Sequence, residues 1–220
     1  TDLYAPSLPH LPAVFATSAA NVQLTMSLNA LAFGAAQLVH GPLADRFGRR
    51  PVLLAGMAAF AIFSLACAAA SSIGALMVAR VLQGLAVSSE AVVALAVVRD
   101  LYRGAQAVRI MSLYGMAIAL APAVGPIFGG YMHVAFGWRS NFLLLTGVAV
   151  AVAAMIWRFL PESGIPDRAA LAPRRLAAGF GALLRHRAFM GYSLILGAIM
   201  GGLFAFITAA PFVLIGHLGV

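Results

Sequence analysis

The sequence has no lysine, a single cysteine (Cys67) and only six carboxylates in 220 residues. Charged residues make up 9% of the chain and hydrophobic ones 63%. A soluble domain carries roughly 25% charged residues to stay in water, so a soluble fold is excluded. One cysteine cannot close an internal disulfide. The five histidines stand at no metal-ligand spacing with Cys67 or with an acid. The acids are too few and too scattered to form a nucleophile, base and orienting group in one place. No enzyme site, cofactor or metal is therefore expected. The chain opens on TDLYAPSLP, without an initiator Met or a signal-peptide n-region, and reaches Val220 within or just after an apolar run. Both ends look cut, as in a fragment.

What the chain does have is long uncharged runs. Residues 51–79, 110–138 and 188–220 contain no Asp, Glu, Lys or Arg. Each exceeds the ~20 apolar residues that cross a hydrocarbon core. A transmembrane β-barrel would instead show alternating segments of about ten residues. The expected fold class is all-α and polytopic. Prolines and charges divide residues 1–160 into a bundle with spans at about 1–16 (the outer part of a truncated first helix), 21–43, 51–70, 75–98, 109–132 and 139–160. Residues 161–187 form a basic connection, and 188–220 a seventh span that opens a second bundle.

All fourteen basic side chains are arginine, giving a net charge of +8. In a soluble protein that excess would point to nucleic acid. Here it sets orientation, because cytoplasmic loops are enriched in Arg and Lys. Placing loop 41–51 inside puts twelve arginines inside and only Arg139 outside, with Arg80 within a span. Loop 41–51 and connection 161–187 are thus cytoplasmic. Six spans, a long basic connection and a seventh span fit half of a two-bundle transporter.

Loop 41–51 reads GPLADRFGRRP and holds Asp45, Arg46, Arg49 and Arg50. Gly41-Pro42 is expected to end span 2. Asp45 and Arg49, four apart, can pair on a helical turn. Gly48 allows a sharp turn, and Pro51 suits the first turn of span 3. Read on charge alone, this is an ordinary positive-inside loop. Span 4 carries LMVARVLQG, with Arg80, Gln83 and Gly84. A charge at that depth faces a polar interior or a partner, or snorkels to the outer interface. Span 5 carries AVGPIFGG, with Gly125, Pro126, Gly129 and Gly130. Small residues there let helices approach, and proline loosens the ladder.

The loop from Gly41 to Leu54 resembles the signature between helices 2 and 3 of the major facilitator superfamily. Arg80, Gln83 and Gly84 fit that family's helix 4 pattern. Gly125, Pro126, Gly129 and Gly130 fit its antiporter pattern in helix 5, although the first glycine of the longer form is Ala121 here. Together with TDLYAPSLPHL, VVRDLY, GWRSNF and LPES, these stretches resemble the bicyclomycin and chloramphenicol resistance (Bcr/CflA) branch of the drug–proton antiporters. Asn141 and Glu90 stand as departures or variable sites. The resemblance implies proton-coupled efflux of drugs or small amphipathic compounds across a bacterial inner membrane by alternating access. It also implies a conformational latch of Gly41, Asp45, Arg46, Gly48, Arg49 and Arg50 with Asp100. The alternative is a transporter of a sugar, amino acid or other metabolite. The implied partners are a small-molecule substrate, protons and the bilayer, with a monomeric full-length protein and no nucleic acid.

Antiport needs a group that exchanges a proton for substrate, and a buried carboxylate suits it. Asp2 and Glu90 are the two intramembrane acids. The resemblance places helices 1 and 4 across the cavity, so Asp2 could pair with Arg80. As a coupling residue Asp2 would release Arg80 on protonation; as a structural residue it would be its counter-ion. Glu90 lies about 15 Å along the helix from Arg80; it lines the inner mouth or snorkels. Tyr4, Asn29, Phe33, Gln37, Tyr114 and Met116 are candidate cavity walls, with helix packing as an equal alternative.

Overall fold

A computed structural model describes residues 2–216; the side chains at positions 2, 204, 207, 208 and 210–216 lie outside the described set. Every regular element among the described residues is helical. A 3-10 segment, Asp2–His10, leads into a one-turn helix α1, Leu11–Val14. Then come α2 (Ala19–Phe47), α3 (Arg49–Ala69), α4 (Ile73–Leu101), α5 (Gly104–Phe136) and α6 (Arg139–Phe159). A surface helix, α7 (Pro173–Arg185), precedes α8 (Arg187–Gly216). Helices α2 to α6 are each long and apolar enough to cross a membrane.

The opening segment departs from the expected α-helix. Pro6 and Pro9 lie inside it, and Pro12 sits at the start of α1. Prolines three apart remove donors that an α-helix would use, and they stack on one face of a three-residue turn. The expectation that Gly41-Pro42 ends span 2 is also corrected. Helix α2 continues through Pro42 to Phe47 and stops at Gly48, which has φ +98°. Pro42 removes one donor from a helix whose neighbours hold it in place, a loss that spanning helices tolerate. Ser18 and Ser72 cap α2 and α4 by accepting from Asn21 N and Ala75 N.

Helix α4 is the axis of the bundle. It packs along α2 and α3, and α3 packs in turn against α6. Glycine makes the close crossings possible. A Cβ on Gly84 would lie 2.4 Å from Asn29 O on α2, and one on Gly56 would lie 1.8 Å from Ser89 Oγ on α4. Apolar layers fill the interior. The outer layer joins Leu8, Leu11, Val22, Leu76, Trp138 and Phe142. A middle layer gathers Met57, Phe60, Ala86 and Ala149, and an inner one Ala44, Leu53, Val93 and Val97. By contrast α5 buries only Gly129. Its Leu, Ile, Val and Phe side chains are largely exposed.

Candidate functional site

The first site is the polar cluster around Arg80. Arg80 is 1% exposed, so it does not snorkel. Its guanidinium lies 4.7 Å from the Tyr4 ring centroid and 6.0 Å from that of Phe142. Such cation–π contacts strengthen when desolvated. Nη1 donates to Gln83 Oε1, and Nη2 reaches Met26 Sδ at 3.7 Å. Gln83, one turn on, passes the network to α3 by donating to Ser64 Oγ at 2.7 Å. Asn29 Nδ2 donates to Arg80 O at 2.7 Å. Tyr4 Oη and Thr25 Oγ1 lie 2.5 Å apart. Arg80 Nε is buried with no partner among the described residues. An unsatisfied buried donor on a charged group is expensive. Asp2, the expected partner, has its side chain outside the described residues.

The expected cavity residues divide. Tyr4 and Asn29 are buried in the Arg80 network. Phe33, Gln37 and Tyr114 are half-buried, and Met116 is 55% exposed. Glu90 is exposed on α4. A separate cavity of about 860 Å³ opens between α2, α3 and α4. Its walls include Val39, Leu43, Phe47, Phe63 and Leu85, with His40 as the titratable group, and none of the expected wall residues lines it. No group of three His, Cys, Asp or Glu converges among the described residues.

The second site joins the loops at the arginine-rich end. Arg49 Nη1 lies 2.5 Å from Asp45 Oδ1, and Arg49 Nε lies 3.2 Å from Asp100 Oδ2. One guanidinium thus ties the end of α2 to the end of α4. Helix α3 has no cap from its own N-cap residue, Gly48. Glu162, beyond α6, supplies it: Oε1 accepts from Arg49 N at 2.8 Å and Oε2 from Arg50 N at 3.2 Å. A carboxylate on free amides at a helix N-terminus is favoured by hydrogen bonding and by the dipole. Gly48 is needed twice over. Its φ suits glycine, and a Cβ there would lie 2.6 Å from Glu162 Oε2. Arg50 Nη2 donates to Trp157 O at 2.5 Å, and Asp167 N to Asp45 O at 2.8 Å. Arg46 instead sits over the Phe47 ring. Sequence reasoning missed Glu162; the LPES string was the only signal.

At the opposite end the expected glycine motif performs a contact. A Cβ on Gly129 would lie 1.6 Å from Leu3 O, so α5 touches the 3-10 segment backbone to backbone. Gly130 is 3.9 Å from Pro6 by the same measure, and Gly125 faces open space. Asn141 Nδ2, 3.3 Å from both Gly129 O and Ser7 Oγ, braces this contact from α6. Arg139, the one outer arginine, donates to Ala68 O and Ala70 O and closes the end of α3.

The chain matches the Major Facilitator Superfamily over residues 1–220. It is 36% identical over 220 residues to the chloramphenicol resistance protein of Pseudomonas aeruginosa, covering 100% of this chain and 52% of that one. It is 33% identical over 220 residues to the bicyclomycin resistance protein homolog of Haemophilus influenzae, covering 100% and 55%. With multidrug resistance protein D of Escherichia coli it shares 33% identity over 205 residues, 93% of this chain and 51% of the relative. The chain spans about half the length of the curated relatives it matches. Its fold is similar to the human organic anion transporter MFSD10, with a TM-score of 0.58 at 21% identity over 79% of this chain and 42% of that one. Its apolar helices and bacterial relatives make it a multi-pass inner-membrane protein. The chain belongs to the major facilitator superfamily, a family of transporters, and within it to the branch of the bicyclomycin and chloramphenicol resistance proteins.

Proposed function

We propose that the chain is a six-span bundle, with the first helix of a second, from a secondary active transporter that exports drugs or small amphipathic compounds in exchange for protons. It acts as a single full-length chain, by alternating access. The observation that carries the reading is Arg80: a charge buried inside a membrane bundle, held by Gln83 and by the ring of Tyr4, with Nε without a partner among the described residues. Intramembrane charges mark coupling pathways. Asp2 stands two residues before Tyr4, within reach in sequence of the group that covers Arg80. In this reading the carboxylate of Asp2 is the acceptor that Arg80 lacks. Protonating it releases the guanidinium, and the change in the network alters affinity for substrate.

Glu90 is exposed and too far along α4 to pair with Arg80. We assign it to the inner mouth, where it tunes the choice of substrate. The Asp45–Arg49–Asp100 network, with Glu162 behind it, holds the inner end closed in the outward-facing state and opens when the transporter turns inward. The relatives named for chloramphenicol, bicyclomycin and multidrug resistance favour drugs over a metabolite. Efflux of a drug panel against a panel of sugars and amino acids, in cells expressing the full-length protein, tests the substrate class. Drug efflux that collapses with the proton gradient is expected; gradient-driven movement of a metabolite alone would overturn it.

A further inference from the structure

The basic connection at residues 161–187 contains a helix with two distinct faces. On α7, Leu176, Phe180, Leu183 and Leu184 follow the i, i+4, i+7, i+8 spacing of one apolar stripe. At 3.6 residues per turn they fall within an arc of about 100°. Arg174 and Arg185 lie on the opposite side. Between Arg168 and Arg187 there are five arginines and no acid. The stripe is only partly covered: Leu176 is half-buried, while Phe180, Leu183 and Leu184 are exposed, Leu184 at 65%. With 13 residues α7 is about 20 Å long, too short to cross a bilayer.

Its place in the chain says what covers it. Helix α6 ends at Phe159, and α8, which the proposed function takes as the next span, begins at Arg187, two residues after α7 ends. Both ends of the connection are therefore held at the membrane surface, on the arginine-rich side. In that topology the phase next to the stripe is the headgroup and acyl boundary of the inner leaflet. That leaflet is anionic and attracts nearby arginines. A basic amphipathic helix of this kind lies in the interface plane.

The segment before α7 adds a mechanical link. Asp167 is a joint: its carboxylate pairs with Arg175 on α7, and its backbone N–H holds Asp45 O at 2.8 Å. Five residues earlier Glu162 caps α3. We propose that α7 binds anionic phospholipids of the cytoplasmic leaflet, its apolar stripe immersed and Arg174, Arg185 and Arg187 on the headgroups, and that this docking steadies the Glu162 and Asp45–Arg49 contacts through Asp167. Arginine stems are long enough to reach headgroups from the polar flank.

The test uses the full-length protein in nanodiscs of phosphatidylcholine, with and without phosphatidylglycerol. Spin labels are placed singly at Leu184→Cys, on the stripe, and Ala178→Cys, on the arginine side; Cys67 is buried and does not compete. Relaxation by oxygen and by a water-soluble nickel complex reports depth. The Leu184 label should enter the oxygen-rich phase when phosphatidylglycerol is present, while the Ala178 label stays in water. Removing Arg174 and Arg185 as Arg174→Gln and Arg185→Gln leaves the Asp167–Arg175 pair intact. Each should lower the ratio of immersed to free label by about fivefold. Amide exchange at Arg49 and Arg50 should slow on adding phosphatidylglycerol, and Arg175→Gln should abolish that response. Protection of the Leu184 label that is equal in both lipids would overturn the proposal and assign the stripe to a protein surface. Exchange at Arg49 and Arg50 that ignores lipid charge would overturn the link to the latch.

Discussion

Single residues carry much of this bundle because backbones touch where side chains are missing. Gly129 is the sharpest case, since a Cβ there would lie 1.6 Å from Leu3 O. Gly129→Ala must push α5 off the 3-10 segment, at the upper end of overpacking costs, about 3 kcal/mol. Gly125→Ala, four residues away in open space, should change stability by less than about 0.5 kcal/mol. Thermal unfolding in detergent separates the two; equal effects would show that the contact is not held. Glu162 is the second case. Glu162→Ala leaves the amides of Arg49 and Arg50 uncapped and should cost about 1 kcal/mol. Their hydrogen exchange should rise by about fivefold, and unchanged exchange would rule the cap out. The two residues differ in how legible they were. Gly129 stood in a recognisable string of small residues. Glu162 acts on a helix 113 residues earlier in the chain, and nothing local to PES announces a cap.

At the scale of elements, α2 to α6 were readable because hydrocarbon demands long uncharged runs, and the runs are visible. The ends were less so. Pro42 was read as a stop because proline ends helices in water, yet the ladder loses a single bond there and α2 runs on to Gly48. The first span was read as α-helical, while prolines three apart wind it as 3-10. Helix α7 is hard to read from sequence because five arginines mask the spacing of Leu176, Phe180, Leu183 and Leu184. Its tie to the bundle has a pH signature. The Ala169 amide and the Arg175 guanidinium both favour ionised Asp167 and hold its carboxyl below the usual carboxylate range. A lowered folded value means the tie is fully present above the ordinary Asp value and is lost as pH falls through the lowered one. A carbon-13 titration of Asp167 should give a midpoint below the ~3.9 of a model peptide; one at or above that value would contradict the tie.

For the whole molecule, the count of arginines proposed an orientation, and the structure brings the loops concerned together. Residues from the α2–α3 turn, the end of α4 and the segment after α6 meet around Arg49. Cysteine scanning checks the sidedness: a cysteine replacing Arg103 should label only from the cytoplasm, and one replacing Phe136 only from outside. The Arg80 cluster was partly legible. Arg80, Gln83 and Gly84 stand together in one motif, but the covering ring of Tyr4, 76 residues from Arg80, and the relay through Ser64, 19 residues from Gln83, lie on other elements, and no pattern within one helix encodes them. The central proposal is that Asp2 takes up the proton and in doing so releases Arg80, which couples proton entry to substrate export. The most direct measurement is proton movement on adding drug to proteoliposomes of the full-length protein, compared with Asp2→Asn. The wild type should move protons when drug is added, and the variant, inserted and folded, should not. Undiminished drug-coupled proton movement in Asp2→Asn would contradict the account.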